Sequence, residues 1–325
     1  MQILFCVGKS YVPIHQQMVD QLEAIGANVR CLMFEQTLDK ELIKKSIHDA
    51  QVCITAIAPC DREIIDAAPN LKYVLKTGTG LDNVAMDYAT EKGILVSNAP
   101  GENATSVAEL AFGQMISLSR LIPMLDRGTK KGEWPSGDAY ELDGKTVGII
   151  GFGSIGQKVA RYAGGFNMRV ITFGNHQDHE AAGRLNATFV ELSQLLREAD
   201  YVVISTALNA SNYHLIDQDA LDQMKSTAFL VNISRGALID EPVLFDALRR
   251  KQLAGAALDV FEQEPPKALP DLDNLIVSPH IAGTTRESIA RVARVTVENI
   301  RKFMNHEQPD FVVNHDALHK KQGHK

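Results

Sequence analysis

Three glycines stand in G-x-G-x-x-G order at Gly151, Gly153 and Gly156. They follow an apolar run, Thr146–Ile150, and open a helical one from Gln157 onward, and this context makes the spacing informative. Glycine at 151 permits a tight strand-to-helix turn. At 153 it lets a pyrophosphate approach the backbone. At 156 it lets helix and strand pack closely, with the helix N-terminus facing the phosphates. The pattern predicts a dinucleotide site; its alternative is a glycine-rich turn in an ordinary βα unit. Farther along, Arg235 follows FLVNIS, Glu264 follows ALDVFEQ and His280 ends LIVSPH. A histidine beside a carboxylate suits general acid–base work, because the negative charge favours the protonated ring. An arginine offers a fixed fork of donors that matches a carboxylate. Singly, each has a structural reading: a helix-entry ion pair, a solvated residue before Pro265-Pro266, a satisfied core histidine. Their shared placement at the ends of three strands favours the chemical one.

The elements that must position these residues are an alternation of apolar strands and helical segments. The first set of strands is expected at residues 3–7, 29–34, 52–56, 73–76 and 94–97. The second is expected at 146–150, 169–173, 201–205, 228–232, 255–259 and 275–277. Short continuous apolar strands with helical crossovers, such as the amphipathic stretch 241–251, imply doubly wound parallel sheets in an α/β fold. In such sheets ligands bind at the carboxyl ends of the strands, where Arg235, Glu264 and His280 fall. Two long helical patterns, about 103–126 and 286–304, mark the joints between domains. The polar tail 315–325 reads as a mobile end rather than a metal site, despite its three histidines.

The bulk numbers narrow the class. A chain of 325 residues suggests two domains, and 45% hydrophobic with 22% charged residues is ordinary globular composition. The formal net charge of −7 argues against nucleic acid as a partner. The basic run 249–251 reads as the charged end of a helix. Cys6, Cys31, Cys53 and Cys60 form no C-x-x-C pair and read as reduced thiols, so no metal is expected. The N-terminus leads directly into a strand and no apolar run approaches membrane-spanning length, so the expectation is a cytoplasmic protein without membrane contact.

Six ordered segments resemble the D-isomer-specific 2-hydroxyacid dehydrogenase family. They are TGTGLDNV (77–84), ATEKGILVSNAPGENATSVAEL (89–110), the glycine loop, NISRGALID (232–240), ALDVFEQEPP (257–266) and SPHIAGTT (278–285). The resemblance extends to about Met304. It implies two similar α/β domains with the active site in the cleft between them. Residues 1–100 plus 288–325 would form a flavodoxin-like substrate domain, and residues 101–287 an inserted Rossmann domain that binds NAD or NADP. It further implies that Arg235 holds the substrate carboxylate and carbonyl, that Glu264 tunes the histidine, and that His280 is the acid–base. Asp259 would hold the nicotinamide amide. Ser154, Ile155, Ala207 and Ser234 would complete the cofactor contacts, and Thr77, Gly78 and Thr79 would bind the substrate carboxylate through backbone amides. Family members are typically homodimers. The 103–126 helix and the segment around Trp134 would lie near that contact, with Trp134 as a core filler the alternative. The activity implied is hydride transfer between a nicotinamide cofactor and C2 of a small 2-oxo acid or D-2-hydroxy acid. A dinucleotide-sensing, corepressor-like interaction protein on the same fold is the rival, and a dehydrogenase of formate or phosphite a third reading.

Three departures qualify the resemblance. An NAD-specific site usually has an acid at the end of the second strand, about 20 residues beyond the loop. Here Gly174, Asn175 and His176 follow RVITF. Asp178 can substitute only if the loop folds back. Without a carboxylate the repulsion that excludes a 2′-phosphate is lost, and Asn175 and His176 can donate to one, so cofactor use is expected to be relaxed or to lean towards NADP. In VVISTALNASNYHLI (202–216), Ser205 and Ala207 stand where the family usually has histidine and proline. Lys76 stands where phosphoglycerate dehydrogenases often carry an arginine beside the phosphate. A lysine attracts a phosphate without the forked geometry. The chain ends soon after the 286–304 pattern, so no regulatory domain is expected. Phosphoglycerate, glyoxylate and hydroxypyruvate all remain open as substrates.

Overall fold

The continuous apolar runs pair as parallel strands in two sheets of the computed structural model, which describes residues 1–322. The chain divides into two compact units, residues 1–103 with 284 onward, and residues 104–283. In the first unit, β1 (Gln2–Cys6), β2 (Asn28–Leu32), β3 (Val52–Thr55), β4 (Tyr73–Lys76) and β5 (Leu95–Ser97) take the order 2-1-3-4-5. β3 is buried from end to end, β1 after Gln2 and β4 up to Lys76, whereas the edge strand β2 alternates. Ile3, Phe5, Ile54 and Tyr73 pack on one face with the helices His15–Ala24 and Arg286–Met304. Leu4, Cys6, Cys53 and Val74 face the opposite way, against Ile43, Ile64 and Ala89 of the intervening helices. Thr285 starts the Arg286–Met304 helix by accepting from the Ser288 amide at 3.2 Å, while Ser288 Oγ accepts from the Thr285 amide at 3.0 Å. Each bond satisfies an amide that the first turn would leave open.

The second unit carries β6 (Thr146–Ile150), β7 (Arg169–Phe173), β8 (Ala187–Phe189), β9 (Tyr201–Ile204), β10 (Phe229–Asn232), β11 (Gly255–Leu258) and β12 (Leu275–Val277). Their order is 12-11-10-9-6-7-8, with every pair parallel. The winding direction reverses between β6 and β9, which opens a crevice at their carboxyl ends, beside Gly151 and Ser205. Apolar side chains fill both faces, Val147, Val203 and Val231 on one, Ile150, Val202 and Leu230 on the other.

Four elements differ from expectation. The 103–126 pattern is two helices, Ala104–Ser119 and Ile122–Lys130, because Leu121 takes a left-handed conformation (φ 54°) and Pro123 starts the second helix. The short edge strand β8 gave no apolar run to read, since its middle residue is exposed. Trp134 is 93% exposed and fills no core of this chain. Residues His315–Gln322 form a helix; the rest of the tail lies outside the described residues. Cys6, Cys53 and Cys60 are buried and all four cysteines are free thiols. Among the described residues no helix is long and apolar enough to cross a membrane, and no cluster of three His, Cys, Asp or Glu is placed to hold a metal.

Candidate active site

The glycine loop has three glycines with three different neighbours. Gly151 has φ +98°, and a Cβ there would sit 2.7 Å from the Thr206 amide nitrogen, so the turn is wedged against the β9 exit. A Cβ on Gly156 would lie 2.1 Å from the Gly151 carbonyl oxygen. One on Gly153 would meet nothing within 4 Å. The chain itself closes on the first and third glycines, and the middle one faces open space. Gly153 precedes the 12-residue helix Ser154–Gly165 and offers its first turn no side-chain cap, so the amides of Ile155 and Gly156 stay available to an anion. These residues fit a dinucleotide pyrophosphate. Ser205, the departure after β9, donates from Oγ to the Gly151 carbonyl at 2.8 Å. Ser234 donates to the Thr206 carbonyl, and Asn212 to that of Ala207 at 2.8 Å, which ties this segment to the end of β10.

After β7 the chain turns sharply. Asn175 and His176 are exposed in that turn. Asp178 does not fold back towards the loop: it caps the His179–Arg184 helix, accepting from the Ala181 amide at 2.9 Å. No carboxylate therefore stands at the end of β7 among the described residues.

Arg235, Glu264 and His280 all belong to the second unit. Asn232, fully buried at the end of β10, shapes the Arg235 turn: its amide donates to the Arg235 carbonyl at 2.8 Å and its oxygen accepts from the Ser234 amide at 3.1 Å. Gly236 has no room for a side chain, since a Cβ would lie 1.9 Å from the Phe261 carbonyl carbon. The Arg235 turn thus packs directly on the backbone that leads to Glu264. Glu264 Oε1 accepts from the Phe261 amide at 3.1 Å and Oε2 lies 2.7 Å from His280 Nδ1. Burial pushes the Glu264 carboxyl up, but the hydrogen bond and charge of His280, the Phe261 amide and Arg235 together hold it below its usual range. His280 sits at φ +52°, its ring half exposed. Nδ1 is held by Glu264, and Nε2 has no hydrogen-bond partner among the described residues. That is the arrangement of a proton donor whose tautomer is fixed from behind.

Asp259 is fully buried, and its carboxylate organises the histidine loop. It accepts from Ser278 Oγ at 2.5 Å and from the amides of Ile281 and Ala282 at 3.0 and 2.8 Å. Its carbonyl accepts from the His280 amide at 2.7 Å. Ser278 in turn accepts from Gln114, the one long polar side chain buried in the Ala104–Ser119 helix, which is the trace this contact leaves in the sequence. A second histidine, His214, bonds Glu262 through Nε2 and stacks on Tyr213 with ring centroids 4.0 Å apart. Nothing in its sequence surroundings singled it out. The cavity of about 170 Å³ beside Leu118, Leu121, Tyr140 and Phe229 involves none of these groups.

In the first unit, β4 delivers Lys76 to Thr79. The carbonyls of Thr77, Gly78 and Thr79 are each taken, by Tyr11 Oη at 3.4 Å, the Ala99 amide at 2.9 Å and Asn98 Nδ2 at 2.7 Å. The Thr77 amide is used at Thr55, whereas those of Gly78 and Thr79 have no partner among the described residues. A loop anchored by its carbonyls presents its amides, which suits an anion. Lys76 Nζ bonds the Ala56 carbonyl and Asn83 Oδ1, the latter at 2.7 Å, so its ammonium braces the loop after β3.

Comparison with known proteins agrees with this geometry. Residues 112–282 match the family model of the D-isomer specific 2-hydroxyacid dehydrogenase NAD binding domain. A glyoxylate reductase of Pyrococcus horikoshii is 36% identical, over 87% of this chain and 89% of its own length. A D-3-phosphoglycerate dehydrogenase of Methanocaldococcus jannaschii is 36% identical over 93% of this chain, which spans 58% of that longer protein. The crystal structure of a glyoxylate reductase from Paecilomyes thermophila superimposes with a TM-score of 0.85 at 30% identity, covering 97% of this chain and 99% of that one. All are named as enzymes, which disfavours the dinucleotide-sensing alternative. This chain belongs to the D-isomer-specific 2-hydroxyacid dehydrogenase family and is a nicotinamide-dependent oxidoreductase of 2-hydroxy acids.

Proposed function

We propose that the chain reduces a short, unphosphorylated 2-oxo acid, with His280 as proton donor, Glu264 as its orienting carboxylate and Arg235 as the clamp for the substrate carboxylate and carbonyl. The observation that carries this reading is the 2.7 Å pair of Glu264 and His280 Nδ1, which leaves Nε2 for the substrate. When bound, the reduced nicotinamide supplies a hydride to C2. His280 delivers the Nε2 proton to the carbonyl oxygen as it gains charge, and Arg235 stabilises that charge and fixes the face presented. In the reverse direction neutral His280 takes the hydroxyl proton. Gly151 to Gly156, Ala207 and Ser234 line the cofactor, and the buried Asp259 supports the His280 loop from behind. The inward engagement of Lys76 with Ala56 and Asn83 favours glyoxylate or hydroxypyruvate over a phosphorylated substrate.

Cofactor use is relaxed or leans towards NADPH, with Asn175 and His176 as donors to the 2′-phosphate. The capping role of Asp178 supports this, because it takes the nearest acid away from the ribose. The exposed Trp134 supports a homodimer, which sedimentation would reveal as twice the chain mass. One experiment tests the main reading: glyoxylate, hydroxypyruvate and 3-phosphohydroxypyruvate are each supplied with NADH and with NADPH, and nicotinamide absorbance is followed. Turnover of the first two with kcat/KM for NADPH at least equal to that for NADH is expected. A large preference for NADH overturns the cofactor assignment, and a preference for the phosphorylated acid overturns the substrate class.

A further inference from the structure

The Ala104–Ser119 helix buries Ala111, Met115 and Leu118 against the second sheet, and Gln114 lies among them only 4% exposed. Its Nε2 donates to Ser278 Oγ at 3.2 Å, and its Oε1 has no hydrogen-bond partner among the described residues. A buried amide oxygen left without a donor is costly, and a leucine at this position would remove the cost. The short Ser278–Asp259 contact explains what the amide does. A serine hydroxyl has one proton, and at 2.5 Å that proton must lie between Oγ and Asp259 Oδ1. Ser278 can then only accept from Gln114, so the amide nitrogen faces it and the oxygen is left over. Gln114 therefore fills the acceptor side of the serine oxygen and holds it in place against Asp259. Asp259 holds the Ile281 and Ala282 amides with its carboxylate and the His280 amide with its carbonyl. Together these bonds wind residues 278–282 around His280 and keep its backbone at φ +52°, a conformation rare for a residue with a side chain.

We propose that Gln114 is a positioning residue for the reaction, acting through Ser278 and Asp259 to hold His280 in its reactive orientation. The proposal rests on His280 being the proton donor. Its measurable signature is opposite movement of stability and turnover. With glyoxylate as substrate, Gln114→Leu is expected to melt at or above the wild-type temperature and to lose about five- to tenfold in kcat, as small displacements of a reacting group do. KM for glyoxylate stays within about twofold, because the loss falls on the proton donor and not on binding. Gln114→Glu gives a second readout. A neutral acid at 114 donates to Ser278 as the amide does, whereas the ionised form draws the serine proton away from Asp259. Burial raises the pKa of such a group, so kcat of this variant is expected near wild type at pH 6 and to fall further behind it by pH 8. Wild-type kcat in Gln114→Leu overturns the proposal, and so does a kcat loss accompanied by a lowered melting temperature, which marks a purely structural role. His280→Asn separates the premise from the proposal. If it is inactive while Gln114→Leu is fully active, only the positioning role falls. If it is fully active, the assignment of His280 falls first.

Discussion

Two histidines of the second unit face glutamates a few residues apart, and they are built for different ends. His280 meets Glu264 through Nδ1 at 2.7 Å, and its side chain is 50% exposed with Nε2 open. His214 meets Glu262 through Nε2, places Nδ1 3.6 Å from Asp240 Oδ2, and stacks on Tyr213 at an interplanar angle of 18°. Its side chain is 26% exposed. Both backbones are left-handed, at φ +52° and +50°. The difference shows that a histidine–carboxylate contact is not itself a catalytic signature. What matters is what else holds the ring. One nitrogen held and the other open leaves a ring that can deliver a proton with a fixed tautomer; a ring bonded to Glu262, lying beside Asp240 and stacked on Tyr213 links structural elements.

The comparison breaks most visibly under paired substitution by asparagine, which tolerates the left-handed backbone that both histidines adopt. His280→Asn is expected to lower kcat by about a hundredfold or more, because no group remains to donate at the carbonyl oxygen. His214→Asn is expected to leave kcat within about threefold, because it touches no reacting atom. Comparable losses in the two variants, measured at saturating glyoxylate and cofactor, would erase the distinction.

Glu264→Gln has the next largest effect. The amide still accepts from Nδ1 but no longer offsets the charge on the ring, and a kcat loss of about ten- to a hundredfold is expected. Its acid stability carries a sign that can be checked. Burial raises the Glu264 carboxyl, and His280, the Phe261 amide and Arg235 outweigh that and lower it. A carboxyl held below its unfolded value adds stability that is full above about pH 5 and lost as pH falls through the lowered value. The melting advantage of the wild type over Glu264→Gln is therefore expected to be present at pH 6 and to shrink below about pH 4. An advantage that widened on acidification would have the wrong sign.

How much of this could be read from sequence depends on whether a residue's neighbours are local. The glycine loop and the parallel strands were legible because turn chemistry and a short apolar run are local properties. The break at Leu121 was not, although Pro123 stood two residues on, because the apolar spacing continues across it and only the left-handed residue interrupts the helix. Arg235, Glu264 and His280 were legible as strand-end residues. The pairing of Glu264 with His280 needed the register of β11 and β12, which the sequence does not display. Gln114 meets Ser278 and His214 meets Glu262, each more than 40 positions away along the chain. Lys76 read as a candidate phosphate ligand because its loop partners, Ala56 and Asn83, meet it only in the fold.

The smallest effect belongs to the His214 contacts themselves. Glu262, besides bonding His214, donates its amide to Glu241 Oε1 at 2.6 Å, so three carboxylates, Asp240, Glu241 and Glu262, gather around one imidazole. Burial pushes the Glu241 carboxyl up, the Glu262 amide and His214 oppose this, and Glu262 and Glu264 add to it. His214→Asn removes the bond to Glu262 and the stack on Tyr213 from a partly exposed site, and a loss of about 1 kcal/mol at pH 8 is expected. For a unit of this size that lowers the melting temperature by about 2–4 °C. An unchanged melting temperature in His214→Asn would mean that neither the bond to Glu262 nor the stack on Tyr213 holds this corner of the unit together.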